Sequence, residues 1–382
     1  MSGLRVLPSG RSSGHAVSCR EATLNDYEQI QALQGRYGMG FKSYEAWSHM
    51  WANNPVCKRT PGLPVGWVIV DDRNHIVGSF GSVPFGFELD GKPLIAGTSS
   101  GWVVDERYRG YALQLLDRFL SQPGVDLHLC VSPTRDAQPA VALHCERVPA
   151  GVWDRAALWI THYRSFAASV LATKGIRFQR VFRQPVAAAL MVEDVLTRDR
   201  LKEALRSRHG YDVRLCTAFD DRFDELWEHV RARNCHRLLA SRTREVLEWH
   251  FKPALARGKA SVLTLCDGER LVAYAVFCRK DVPPIGLRRV RLIDYQSLDG
   301  DTSLLAPILA AAIERCRREG TAVLESIGWE LDSGHLMHRI APRVRTMASW
   351  QYYYKAAHPA LANRLKDAAA WTPSQYDGDI CI

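Results

Sequence analysis

Three residues at one spacing, Arg107-x-x-Gly110-x-Ala112, are where this sequence first suggests chemistry. Gly110 and Ala112 leave the backbone bare, so an anion can approach the amides closely. Apolar residues at Ala112, Leu115, Leu116, Phe119 and Leu120 recur at a helical spacing, which starts a helix inside the motif. The first turn of a helix carries N–H groups without an intrahelical acceptor and the positive end of the dipole. A phosphate placed there meets several donors at once, and Arg107 and Arg109 add positive charge. The β-branched, apolar run that ends at Val104 predicts a strand leading into the turn. The plainer reading of the same residues is a strand-to-helix turn with two solvated arginines.

The elements around the motif fall into two similar series. In the first, Thr23-Leu24-Asn25-Asp26 forms a capping box ahead of a helix with Tyr27, Ile30 and Leu33 on one face, and Ser43 opens a second helix ending near Pro55. Strands are predicted at Trp67–Val70 and Ile76–Leu89, with Asp90-Gly91 as a hairpin turn. After the motif come a strand over Val125–Val131 and a helix over Ala137–Glu146. The second series begins at a capping box, Thr217 to Asp220, and Thr243 to Trp249 echoes Ser43 to Trp47. A hairpin around Asp267-Gly268, a strand over Val290–Tyr295 and a helix from Leu304 to Cys316 complete it. An offset of roughly 195 residues means a duplicated domain, not a solenoid. Two tandem lobes are therefore expected, each a mixed central sheet flanked by helices, of α+β or α/β class. The expected boundaries are a disordered leader over 1–15, a first lobe over 16–160 and a connector over 161–210. A second lobe over 211–356 and a C-terminal helix and tail over 357–382 follow. The connector is read as a helix from Tyr163 to Leu171 and a strand from Val186 to Val192.

With strand, loop and helix in this order, Arg107-x-x-Gly110-x-Ala112 resembles the acyl-coenzyme A signature of the GNAT acetyltransferase superfamily, (Gln or Arg)-x-x-Gly-x-(Gly or Ala). The resemblance is specific in the first lobe and architectural in the second, and the layout is similar to bacterial tandem-GNAT proteins. It implies that the pyrophosphate rests on Arg107, Arg109, Gly110, Tyr111, Ala112 and Leu113, and that the pantetheine arm runs along Trp102, Val103 and Val104. A backbone N–H of Val103 or Val104 would face the thioester carbonyl, where negative charge develops. His144 stands about where the family places a tyrosine that protonates the leaving thiolate. Candidates for the base are Asp105, Glu106 and His128, or a water ordered by Thr98 and Ser100. The acceptor would enter near Phe41, Trp51 and Ser100, with Tyr37, Trp47, Trp329 and Arg339 as further lining. Asp377 and Asp379 in the tail could receive a cationic amine. In the second lobe Gln296 to Asp301 replaces the basic loop, and its two aspartates would repel a pyrophosphate.

The implied activity is acyl transfer, an N-acetyl group first of all, from coenzyme A to the amine of a small or medium metabolite such as an amino sugar or amino-acid derivative. Two other readings stay open. One is a non-catalytic acyl-coenzyme A sensor or scaffold; the other is an aminoacyl-tRNA-dependent transferase of the peptidoglycan-bridge type, which would not need the basic loop. Composition fits a globular chain of two domains: 382 residues, 47% hydrophobic and 24% charged. The net charge of +9 suits a polyanionic ligand, but the arginines are scattered, so nucleic acid is not favoured as a partner. No apolar run is long enough to span a membrane. The ten cysteines form no Cys-x-x-Cys pair and read as reduced thiols of a cytoplasmic protein, with no metal site. His335 and His338, three apart, would need a third ligand.

Overall fold

A computed structural model of the chain describes residues 17–149, 152–176, 179–197, 211–329, 340–346, 351–379 and 382. The leader over 1–15, together with His335, His338 and Arg339, lies outside the described residues. The first half supplies strands β1 (Ser18–Glu21), β2 (Gly66–Val70), β3 (Ile76–Leu89), β4 (Lys92–Val104), β5 (Leu127–Val131), β6 (Glu146–Arg147) and β7 (Val152–Ile160). Its helices are α1 (Tyr27–Arg36), α2 (Tyr44–Ala52), α3 (Pro55–Arg59), α4 (Ala112–Leu120) and α5 (Gln138–His144). Two further helices, α6 (Tyr163–Thr173) and α7 (Gln179–Thr197), lead to the second half. That half supplies β8 (Asp212–Cys216), β9 (Leu239–Ala240), β10 (Ala260–Asp267), β11 (Arg270–Arg279), β12 (Arg289–Ser297), β13 (Val323–Trp329), β14 (Arg343–Thr346) and β15 (Tyr352–Ala356).

Two sheets result, with matching orders. One runs β1-β2-β3-β4-β5-β15-β6, with β9 added to β3; the other runs β8-β10-β11-β12-β13-β7-β14. Each holds one central parallel pair, β4 with β5 and β12 with β13. The duplicated plan read from the sequence is present in both. The sixth strand of each sheet, however, comes from the other half of the chain. β7, inside the segment expected to complete the first lobe, pairs with β13. β15, near the end of the segment expected to form the second, pairs with β5. The sequence pattern marks neither exchange, because strand periodicity reports a face and not a partner.

Local signals hold at the helix starts. Thr23 and Asp26 make the capping box, and the Ser43 and Thr243 side chains accept from the amides of Ala46 and Val246. Asp220, not Thr217, caps the helix Asp221–Arg233. One expected strand is corrected: Val186–Val192 lies within α7. Its interior, Ala187-Ala188-Ala189-Leu190-Met191, is made of strong helix formers, and these outweigh the flanking valines.

Among the described residues, three apolar clusters hold the body together. One lies between the first sheet and α4, built on Phe80, Leu115, Leu116 and Phe119. Another packs the second sheet under the helix Leu305–Arg318, through Ile308, Leu309 and Ile313. The third joins the lobes: Phe85, Val103 and Leu129 of the first sheet share it with Phe223, Trp249, Phe251 and Tyr274, and with Trp371 and Tyr376 of the tail. The tail is thus part of the core. Tyr376 is fully buried and donates to the Ser241 carbonyl, and the Trp371 indole donates to the Leu365 carbonyl.

Candidate functional site

The site is organised by the parting of β4 from β5. These strands pair in parallel only at Ala96–Thr98 with Leu127–Leu129. A bulge opposite Phe80 then breaks the pairing of β4 with β3, with Gly101 in the left-handed region at φ +61. The Gly101 carbonyl accepts from Gln34 Nε2 of α1 at 3.3 Å, which ties the bulge to that helix. At the far end of β5, Ser132 turns at φ +53. From Ser99 to Val104, then, one edge of β4 has no strand beside it among the described residues.

Which amides point into that opening follows from the register. The Asp105 N–H donates to the Val77 carbonyl of β3 at 2.7 Å. Backbone groups alternate sides along a strand, so the amide of Val104 points away from β3, toward the side that β5 has left. Val103 faces β3 instead, opposite Ser79. Of the two valines named from sequence, only Val104 is oriented as a donor into the opening. Both side chains are core, in the clusters on opposite faces of the sheet. Trp102 is half-buried, its ring 5.2 Å from that of Phe80.

The loop that follows is a 3-10 turn, Glu106–Tyr111, leading straight into α4. Arg107, Arg109, Gly110 and Leu113 are exposed, Tyr111 and Ala112 half-buried, and a Cβ built on Gly110 meets no atom within 4 Å. The helix mouth is open to solvent. It is less bare than its sequence implied. The Tyr108 N–H donates to the Asp105 carbonyl, the Ala112 N–H to the Arg109 carbonyl, and the Arg107 N–H to the Asp105 carboxylate. Tightening into a 3-10 turn spends these amides inside the loop.

Other residues singled out from sequence are distributed as follows. His144 ends α5 and is exposed. His128 points from β5 toward α4, its ring 5.2 Å from Phe119, and is 3% exposed. Burial, helped by the charge of Lys355, pushes its pKa down to about 4, and neither ring nitrogen has a hydrogen-bond partner. It is a core histidine and not a base for the opening. Asp105 caps the 3-10 turn and pairs with Arg36 at 3.5 Å, while Glu106 is exposed. Trp51 is core: its indole donates to the Ser82 carbonyl at 2.7 Å and its ring packs on Trp47 at 5.0 Å. Phe41 is 79% exposed, apart from the core. Cys278 is disulfide-bonded, which corrects the expectation of reduced thiols throughout; the eight other cysteines among the described residues are free.

The tail contributes what the sequence only hinted at. It crosses the opening: Thr98 Oγ1 donates to the Asp377 carbonyl at 3.2 Å and Ser100 Oγ to Asp379 Oδ2 at 2.5 Å. Two lysines feel the Asp379 charge. Burial lowers the pKa of Lys42 and brings Lys280 to about 8, and in both Asp379 works against the fall. Asp377 itself is pushed up to about 6 by burial, against the pull of Arg242. No sequence spacing connects residue 100 to residue 379, so only the Trp-Tyr composition of the tail could have pointed to this docking.

No protein-family model and no curated protein matches the chain. Solved structures do. A GCN5-related N-acetyltransferase from Anabaena variabilis ATCC 29413 superposes with a TM-score of 0.52 at 12% identity, over 90% of this chain and 73% of its own. A probable N-acyltransferase from Enterococcus faecalis V583 gives 0.54 at 9% identity, over 89% and 73%. Saccharomyces cerevisiae N-myristoyltransferase, solved with bound myristoyl-CoA, gives 0.53 at 10% identity, over 92% and 80%. The likeness is one of fold, and it extends across both sheets: this chain has the tandem, two-lobed GNAT fold of the N-acetyltransferases and N-myristoyltransferase.

Proposed function

We propose that the protein is an acyl-coenzyme A-dependent N-acyltransferase that moves an acyl group, an acetyl group in the simplest case, onto the amine of a small or medium metabolite. The observation that carries this reading is the opened edge of β4, with the Val104 amide aimed into it and an exposed strand-to-helix turn immediately beyond. In this reading Arg107, Arg109, Gly110, Tyr111, Ala112 and Leu113 hold the pyrophosphate. The arginines take a larger share than the amides, because several amides are spent within the turn. The pantetheine arm replaces the missing strand along Trp102, Val103 and Val104. The acceptor nitrogen attacks the thioester carbon, the Val104 N–H meets the developing oxyanion, and the C–S bond breaks. His144 gives the leaving thiolate its proton. The acceptor enters as an ammonium ion against Asp379, which Ser100 holds in the same opening, and it gives up a proton to solvent before its nitrogen attacks; the second N–H proton leaves as the amide forms.

Gly110→Glu tests the donor site. The new side chain enters open space, so the melting temperature should barely move, whereas its charge faces the diphosphate. Titration calorimetry should give binding of acetyl-coenzyme A to the parent protein and none to the variant. Unchanged affinity in the variant would refute the placement. Release of free thiol with a panel of amines separates an enzyme from a protein that only binds the thioester.

A further inference from the structure

The second sheet parts in the same way as the first, and there it leaves a cavity. β12 and β13 pair only from Arg289–Leu292 with Val323–Ser326. Beyond this, Gly328 adopts φ +57 at a break in the β13 register, and the strands separate around a cavity of about 240 Å3. Ile293 to Ser297 of β12 form one wall, and residues 372 to 375 of the tail form another.

Two polar groups in the walls have no hydrogen-bond partner. Gln375 is 1% exposed; its Nε2 donates to the Ile327 carbonyl at 2.8 Å, while Oε1 accepts nothing. The Nε of Arg237 is buried and has no acceptor. The neighbouring acids are already matched, Asp294 by Arg242 at 2.9 Å and Asp299 by Arg233 at 2.8 Å. Arg237 has no acidic partner among the described residues, and along Ile293–Ser297 the edge of β12 that has lost β13 faces the cavity. Leaving a buried polar group unmatched carries the full cost of its desolvation, which a ligand reaching both groups would recover.

We propose that this cavity binds a small carboxylate that also carries an N–H or O–H donor. The carboxylate pairs with Arg237, the donor meets Gln375 Oε1, and an extended ligand lies along the β12 edge. The inference does not depend on acyl transfer, since none of these residues belongs to the donor site.

The test is saturation-transfer NMR on the full chain with N-acetylglycine, glycylglycine and gluconate, each compared with its uncharged amide. At least one carboxylate should bind, its amide should not, and Arg237→Gln should weaken binding roughly tenfold or more, as expected for loss of a charge-assisted bond. Arg237→Lys should recover part of the loss, and unchanged melting of both variants excludes misfolding. Binding should persist in Gly110→Glu, which keeps this result separate from that of the donor site. No carboxylate binding to the parent protein, or equal binding to Arg237→Gln, overturns the proposal.

Discussion

His250 shows how little of a residue's role its type reveals. It is fully buried among aromatic rings, 4.6 Å from Tyr376 and 4.4 Å from Phe251, and neither ring nitrogen has a partner. Burial, assisted by Arg242 and the nearby lysines, pushes its pKa down to about 3. A histidine whose folded pKa lies below its unfolded value adds stability above the unfolded pKa, near 6.5, and loses it as pH falls toward the folded one. The chain should therefore weaken between about pH 6.5 and 3 by one more proton than a His250→Phe variant. That variant should also be more stable at neutral pH by about 1–3 kcal/mol, since it removes an unmatched polar group. Denaturant unfolding across pH checks both; equal slopes for the two proteins would show that the imidazole is not the titrating group. The motif at Arg107 to Ala112 was legible because it is local. Ser100 against Asp379 was not, because no spacing reports a contact between residues so far apart.

At the level of elements, the bulge in β4 is the feature on which the opening depends. Gly101 sits at φ +61, and an added Cβ would clash with Gln34 Nε2. Gly101→Ala should cost about 1–3 kcal/mol through the backbone term alone. Adding Gln34→Ala should relieve the clash and leave that backbone cost in place. Urea melts of the single and double variants measure the two parts, and full recovery in the double variant would remove backbone conformation from the account. Helix caps and hairpin turns were readable in advance: Ser43 and Thr243 cap as expected, and Asp90-Gly91 turns at φ +51 and +73. The Val186 to Val192 segment was misread because its valines flank residues that favour a helix. The pairing of β7 and β15 was unreadable for a different reason, since strand partners are settled by tertiary packing.

The whole molecule is one body in which the lobes share a core, a tail and two exchanged strands. A buried ion pair also joins distant segments: Arg242, 3% exposed at its side chain, holds Asp294, 0% exposed. Removing one partner of such a pair costs about 3–5 kcal/mol. We expect residues 1–160, expressed alone, to fail to give the sharp amide dispersion of a folded domain, and co-expression with residues 161–382 to restore it. A well-dispersed spectrum from the first fragment alone would show that β15 is dispensable to the first sheet. The mixed sheets and the duplicated order were visible in the sequence, whereas the exchange of strands between the two lobes was not.

The reciprocal exchange of β7 and β15 has a consequence during synthesis. When β5 leaves the ribosome, its neighbour β15 lies more than two hundred residues downstream and has yet to be translated. At elongation rates of about 5–20 residues per second, the first sheet waits ten seconds or more with an unfilled edge. That interval is a window in which a nascent chain can pair wrongly with its neighbours on a polysome, so the yield of native protein should depend on translation speed and on chaperones that shield exposed strands.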